Sequence, residues 1–241
     1  INHLKPHVII HCAAITDVDL CEKNNDLAFK VNYEATKVIA KAAERVDAYM
    51  IYISTDYVFD GLKGMYKEED QPNPINTYGL TKLLGELAVM ENCSRSLIAR
   101  ASVIYGSKPA SGKMNFALWI IEKLKSKDRI KVLKDQYVSP TLNTNLALMI
   151  LNALEMNLTG IIHMSGATRT SRYEFAIQIA KKFNLDETLV EEAYMDEMKW
   201  IAKRPRDSSL DVSKASRTLK VKPMNLNESL EELYLEMKSN A

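Results

Sequence analysis

The sequence predicts an α/β fold, a doubly wound parallel sheet with a smaller C-terminal lobe, from three observations. Short runs rich in Val and Ile are apolar throughout rather than alternating, amphipathic helical patterns separate them, and the C-terminal part turns to helical stretches broken by Pro and polar segments. Continuous apolarity marks strands covered on both faces, and strand–helix alternation marks parallel strands joined by crossover helices.

In chain order, the first strand is expected at residues 8–14 (VIIHCAA). A helix over 26–46 follows, with apolar residues at 27, 28, 31, 35, 38, 39, 42 and 43, the three-and-four spacing of one buried stripe. Residues 49–54 (YMIYIS) form the second strand, and 76–91 the next helix, apolar at 80, 83, 84, 87 and 88. Pro74 and Asn76 or Thr77 can start that helix. Strands at 97–101 and 161–164 complete the sheet, and helices are expected near 114–126, 143–156, 172–183 and 226–238. Residues 1–160 are thus expected to form a nucleotide-binding type of domain, with 107–140 lending material to a substrate lobe at 161–241.

A doubly wound nucleotide-binding sheet opens with a strand, a Gly-rich turn and a helix whose N-terminus holds a pyrophosphate. Only eight Gly occur in the chain, none in a GxGxxG or GxxGxxG pattern, and Ile1-Asn2-His3-Leu4-Lys5-Pro6 reads like the tail of a helix. The expectation is that the first three strand–helix units are missing from this sequence, leaving an apolar edge at the Val8 strand.

Lys plus Arg 32 against Asp plus Glu 31 gives a net charge of +1, which offers no bulk field for nucleic acid or an anionic membrane. No apolar run reaches the ~18 residues of a membrane span and no leader is evident, so a cytoplasmic protein is expected. Cys12, Cys21 and Cys93 are odd in number and lack metal-ligand spacing, so no disulfide framework and no metal site is expected, and Cys12 is placed in the core. None of the four His has a companion acid or Cys placed for catalysis.

The chemistry concentrates in Ile53-Ser54-Thr55-Asp56-Tyr57-Val58-Phe59-Asp60-Gly61 and Tyr78-Gly79-Leu80-Thr81-Lys82. Tyr78 and Lys82 stand at i and i+4 on one helix face. A free phenol titrates near ~10, and a neighbouring ammonium lowers that value, so Lys82 is expected to tune Tyr78 as a proton donor. Ser54 or Thr55 ends a strand, where α/β sheets place their ligand crevice, and can hold the same substrate oxygen. Tyr33/Lys37 and Tyr234/Lys238 repeat the spacing without a polar strand end before them and are expected to be ordinary helix residues.

These stretches, with His11-Cys12-Ala13-Ala14-Ile15-Thr16-Asp17, Val31-Asn32, Pro74-Ile75-Asn76-Thr77 and Arg204-Pro205-Arg206-Asp207-Ser208-Ser209-Leu210, resemble the extended short-chain dehydrogenases/reductases, and among them the dTDP-4-dehydrorhamnose reductases. The resemblance spans nearly the whole chain. It implies a Rossmann-like sheet and NADPH, with NADH open, as the hydride donor to the C4 carbon of a nucleotide-linked sugar in dTDP-rhamnose biosynthesis. Tyr78 would donate the proton, Thr55 hold the oxygen, and Lys82 bond the nicotinamide ribose. Cys12, Ala13 and Ala14 would lie against the cofactor, since small side chains let a dinucleotide approach the backbone. Ser54, Asp56, Tyr57 and Phe59 would line the substrate side, and Arg204 and Arg206 would suit a pyrophosphate.

Such reductases carry Thr-Ser-Trp after the Arg that matches Arg100, whereas this chain has Ala101-Ser102-Val103, which leaves the sugar open. The chain is also similar to the regulatory beta subunit of methionine adenosyltransferase, a binding protein of the same superfamily. That similarity implies a methionine adenosyltransferase as partner, and a homodimer is open under either resemblance.

Overall fold

The computed structural model describes residues 1–109 and 114–239. The first half runs β1 (Val8–His11), α1 (Val18–Lys23), α2 (Asn25–Ala28), a π-helical turn (Phe29–Glu34), α3 (Ala35–Arg45), β2 (Tyr49–Thr55), a 3-10 turn (Asp56–Val58), α4 (Thr77–Asn92) and β3 (Ser96–Ala101). The second half adds β4 (Ile104–Tyr105), α5 (Phe116–Lys125), β5 (Ile130–Leu133), β6 (Tyr137–Val138), β7 (Thr141–Leu142), α6 (Asn143–Glu155) and β8 (Gly160–His163). It closes with β9 (Thr170–Ser171), α7 (Arg172–Lys182), β10 (Val190–Ala193), α8 (Ser213–Thr218) and α9 (Leu226–Ser239).

The fold is α/β. Its main sheet has the order β1-β2-β3-β8, every pair parallel, with Val8 opposite Tyr49, Met50 opposite Ser96 and Leu97 opposite Gly160. Helices cover both faces, which is why the strands read as continuously apolar. Tyr49, Ile51, Leu97 and Ala99 pack with Leu146, Met149 and Ala153 of α6 and with Ala215 of α8. The alternate residues Met50, Tyr52 and Ile98 pack with Ala40 and Ala43 of α3 and Val89 of α4. A fully buried Ile or Leu contributes about 1.5–3 kcal/mol, so these two layers anchor the strand ends that follow them. Among the described residues β1 pairs only with β2, and Ile10 on it is 43% exposed, an apolar edge as expected.

A second core lies in the lobe, where Ala117, Ile120 and Leu124 of α5, Val132 of β5, Phe175 and Ile179 of α7 and Leu233 of α9 meet. Three two-stranded pairs, β4–β7, β5–β10 and β6–β9, accompany it, and β5–β10 lies within this core. Because β8 and α8 pack with the sheet, the division at residue 160 assigns to the lobe a strand and a helix that belong to the other layer. No helix among the described residues is long and apolar enough to cross a membrane.

Two local differences bear on the site. The strand expected over 8–14 ends at His11, so residues 12–14 are loop. The helix expected over 26–46 is interrupted by the π-helical turn, which presses the Asn32 carbonyl toward α4. A Cβ on Gly85 would stand 2.9 Å from that oxygen and 2.3 Å from the Tyr52 hydroxyl, so only glycine permits the approach.

Candidate active site

β2 delivers Thr55 at its carboxyl end, and the 3-10 turn after it carries Asp56 and Tyr57. Asn76 caps α4 by accepting from the Gly79 N–H at 2.8 Å, which sets the helix start and the direction of Tyr78. A Cβ on Gly79 would fall 2.1 Å from the Tyr57 carbonyl oxygen, so its absence lets α4 lie against the turn. Tyr78 meets Tyr57 edge-on, ring centroids 5.8 Å apart, and its phenol lies within the electrostatic reach of the Thr55 hydroxyl.

The electrostatics differ from expectation. Burial pushes the Tyr78 phenol well above its ordinary value, Asp56, Tyr57 and Cys21 add to the rise, and the Thr55 hydroxyl opposes it. The Lys82 ammonium is engaged elsewhere: it donates to the Ile53 carbonyl at 2.7 Å and sits 3.9 Å from the Tyr52 ring centroid. Burial pushes Lys82 itself down to about 7, against the upward pull of Glu86 and Cys12.

At the end of β1, His11 is buried with Nε2 3.0 Å from the Thr36 hydroxyl, and burial and the Lys82 charge hold it below its ordinary value. Cys12 is exposed, not core as expected, because the strand stops one residue before it. Ala13 is exposed and Ala14 half-buried, so a small-residue rim faces outward, with Cys12 within reach of the Lys82 charge. Asn32 holds this rim: its amide oxygen accepts from Ile15 N at 2.8 Å, and its nitrogen donates to Ile15 O at 3.0 Å and Thr81 at 3.2 Å.

The remaining expected residues divide. Ser54 donates to Glu86 and lies with the buried Arg100–Glu86 pair rather than with Thr55. Asp56 accepts from Thr55 at 3.0 Å, Ser102 at 2.8 Å and Ser208 at 2.5 Å; burial raises its carboxyl while these three hydroxyls oppose the rise. Phe59 is core: it is fully buried and stacks on Tyr66 at 4.2 Å. Arg206 is paired with Asp135 at 2.6 Å on the outside and does not reach the site. Arg204 does, although it is tied to Asp19 at 3.1 Å.

A cleft of about 200 Å³ opens between the sheet end and the lobe, bordered by Tyr57, Trp119, Gln136, Arg172, Trp200 and Arg204. The chain has two Trp and both line this cleft. Arg172 is oriented by Gln136 Oε1 at 2.7 Å and lies 5.1 Å from the Phe116 ring. Sequence reasoning missed Trp119, Arg172 and Trp200, which come from three distant segments. The one available signal was that both indoles fall outside the strand runs. Among the described residues no group of three His, Cys, Asp or Glu could hold a metal. The arrangement offers a neutral phenol, a hydroxyl and a titratable amine beside an aromatic, cationic cleft, the parts for protonating a carbonyl oxygen on a bound polar substrate.

Residues 1–239 match the family described as RmlD substrate binding domain. The chain is 35% identical over 225 residues to the "Probable low-salt glycan biosynthesis reductase Agl14" of Haloferax volcanii, covering 92% of this chain and 75% of that protein. It is 36% identical over 219 residues to methionine adenosyltransferase 2 subunit beta of Bos taurus, covering 89% of this chain and 65% of that one. Among solved structures, dTDP-4-dehydrorhamnose reductase from Bacillus anthracis in complex with NADP superposes with a TM-score of 0.91 at 35% identity, covering 97% of this chain and 82% of that one.

Proposed function

We propose, from the premise that this chain belongs to the RmlD substrate binding domain family, that it is an oxidoreductase reducing the 4-keto group of a nucleotide-linked 6-deoxysugar. The observation that carries the reading is the grouping of Thr55 with Tyr78, and Lys82 one turn on, at the carboxyl ends of parallel strands and beside the aromatic, cationic cleft. Tyr78 keeps its proton across the physiological range because burial raises it, which suits a phenol that must donate to an oxygen gaining negative charge. Thr55 places a hydroxyl beside that phenol. Arg172 and Arg204 flank the cleft where guanidinium groups can take a diphosphate, and Trp119 and Trp200 give flat apolar surface for a base or sugar.

The rim fits a nicotinamide cofactor. Cys12, Ala13 and Ala14 present small side chains, with Cys12 near Lys82, and a flat ring can lie close to such a backbone. NADPH, or NADH, supplies the hydride when bound. Lys82 would then leave or share the Ile53 carbonyl to bond the ribose. A dTDP-linked 4-dehydrorhamnose is the substrate in this reading, and a cytoplasmic location belongs with it. The test is to mix the protein with NADPH and dTDP-4-keto-6-deoxy-L-mannose and follow the reduced-nicotinamide absorbance; a steady fall is expected, and no protein-dependent fall contradicts the proposal.

A second reading draws on the identity to methionine adenosyltransferase 2 subunit beta, of which the chain spans 65%. There the same site would bind NADP without turnover and the protein would act through an adenosyltransferase partner. Recovery of that enzyme in pull-downs from the native lysate, with no reduction of the sugar, would favour it.

A further inference from the structure

Behind the Thr55–Tyr78–Lys82 site lies a charged pair that the proposed chemistry does not use. Arg100 on β3 grips Glu86 on α4 with two parallel bonds, Nε to Oε1 at 2.9 Å and a terminal nitrogen to Oε2 at 2.7 Å. Both side chains are almost wholly buried, at 2% and 0% exposure. Paired ions in a core add little net stability over apolar residues of the same shape, so their placement asks for another reason.

The placement is specific. Glu86 stands one turn beyond Lys82 on the same face of α4, and the two residues bond to consecutive positions of β2: Lys82 donates to the Ile53 carbonyl, and Ser54 donates to Glu86. The next residue of β2 is Thr55. The pair thus fixes α4 on β2 at the register that brings Thr55 to Tyr78. Arg100 is oriented in turn by Phe59, 5.1 Å from its ring centroid, and by Nε2 of His163 at 3.4 Å. Burial and the Arg100 charge keep that His neutral, and its Nδ1 is 3.2 Å from the Asp211 carbonyl.

We infer that Glu86, held in place by Arg100, is a positioning residue for the catalytic site: it anchors Ser54 and serves as the fixed counter-charge that keeps the Lys82 ammonium charged and seated beside Tyr78. This rests on the reading of Tyr78 and Lys82 as the reacting pair. The groups facing Lys82 are His11 at the end of β1 and Cys12 after it, Tyr52 from β2 and Glu86 from α4, with Arg100 of β3 behind Glu86. Of these, Glu86 is the largest influence favouring the charged amine, against the cost of burial.

The experiment labels lysine with 13C at Cε and 15N at Nζ and follows the Lys82 resonance against pH, assigned by its loss in Lys82→Met. Wild-type protein should titrate near pH 7. Glu86→Gln should titrate at least one unit lower, because the amine loses its counter-charge while remaining buried. A merely structural pair would behave oppositely: removing it would loosen the core, wet Lys82 and move its midpoint up toward an ordinary lysine. If Glu86→Gln does not fold, the double variant Glu86→Gln/Arg100→Met removes both charges together, and its midpoint should still fall because Glu86 is the charge that acts on Lys82. An unchanged or raised midpoint in whichever variant folds overturns the inference. The titration reads out without substrate, so absence of sugar reduction by wild-type protein would overturn the functional reading and leave this result to stand or fall by itself.

Discussion

Three helices carry Tyr and Lys four residues apart, and the two extremes, the start of α4 and the end of α9, show what spacing alone leaves undetermined. On α9, Lys238 is exposed and folds back 4.4 Å from the ring of its own Tyr234, which otherwise packs edge-on to Phe183 at 5.4 Å. On α4, Lys82 cannot do this, because the end of β2 lies beneath it and supplies a carbonyl and an aromatic face. Helical spacing only places the two side chains on one side. A strand end underneath buries the amine, moves it down to about 7 and brings a hydroxyl to the phenol. Tyr33 and Lys37 fall between, with the amine 5.9 Å from its own ring centroid.

The largest contrast should come from the phenols. Tyr78→Phe is expected to lower kcat by about 10³-fold, the usual range for losing a positioned proton donor, while Tyr234→Phe stays within about twofold. Equal effects would erase the distinction.

The amines should differ next, in rate and in stability. Lys82→Met should cost about 10²-fold in turnover, and wild-type turnover should decline as pH rises through 7, where the buried ammonium is lost. Its folded value lies below its unfolded one, so the unfolded chain binds the extra proton between about 7 and 10.5, and wild-type stability should rise with pH across that window. Denaturant midpoints of Lys82→Met should lack this rise. Those of Lys238→Met should match wild type within about 0.5 kcal/mol, as for other exposed positions.

A smaller effect lies in the network behind α4, for which α9 has no counterpart. His163 is fully buried and pushed down to about 3 by burial and Arg100. The folded protein then refuses a proton that the unfolded chain accepts, so this contribution is complete above pH 6.5 and is lost as pH falls toward 3, by roughly 1.4 kcal/mol per unit at most. Urea unfolding at pH 4.5 and pH 7 should show a steeper decline for wild type than for His163→Gln. Parallel declines would remove His163 from the account.

Much of the fold was legible because its determinants are local. The strands of the main sheet announce themselves as runs that both faces bury, and Asn76 marks the start of α4 as a side-chain cap. The π-helical turn was not legible, because Asn32 earns its place through contacts to Ile15 and to α4, which the sequence does not display. Pairs such as β6–β9 are two residues long and carry no periodic signal. One choice was legible: successive strand residues point to opposite faces, so of Ser54 and Thr55 only one can face the substrate oxygen. The cleft was hidden for a topological reason, since Trp119, Arg172 and Trp200 converge only once the lobe closes over the strand ends.

The central claim is that α4 presents the residue that protonates a sugar oxygen while hydride reaches the adjacent carbon. A single-turnover reaction with NADPH deuterated on the transferred position, read by mass spectrometry of the sugar product, tests it most directly. The account predicts one deuterium at C4 in wild type and in Tyr234→Phe, and almost none over the same time in Tyr78→Phe. A product without deuterium, or labelling of Tyr78→Phe at the wild-type rate, would contradict it.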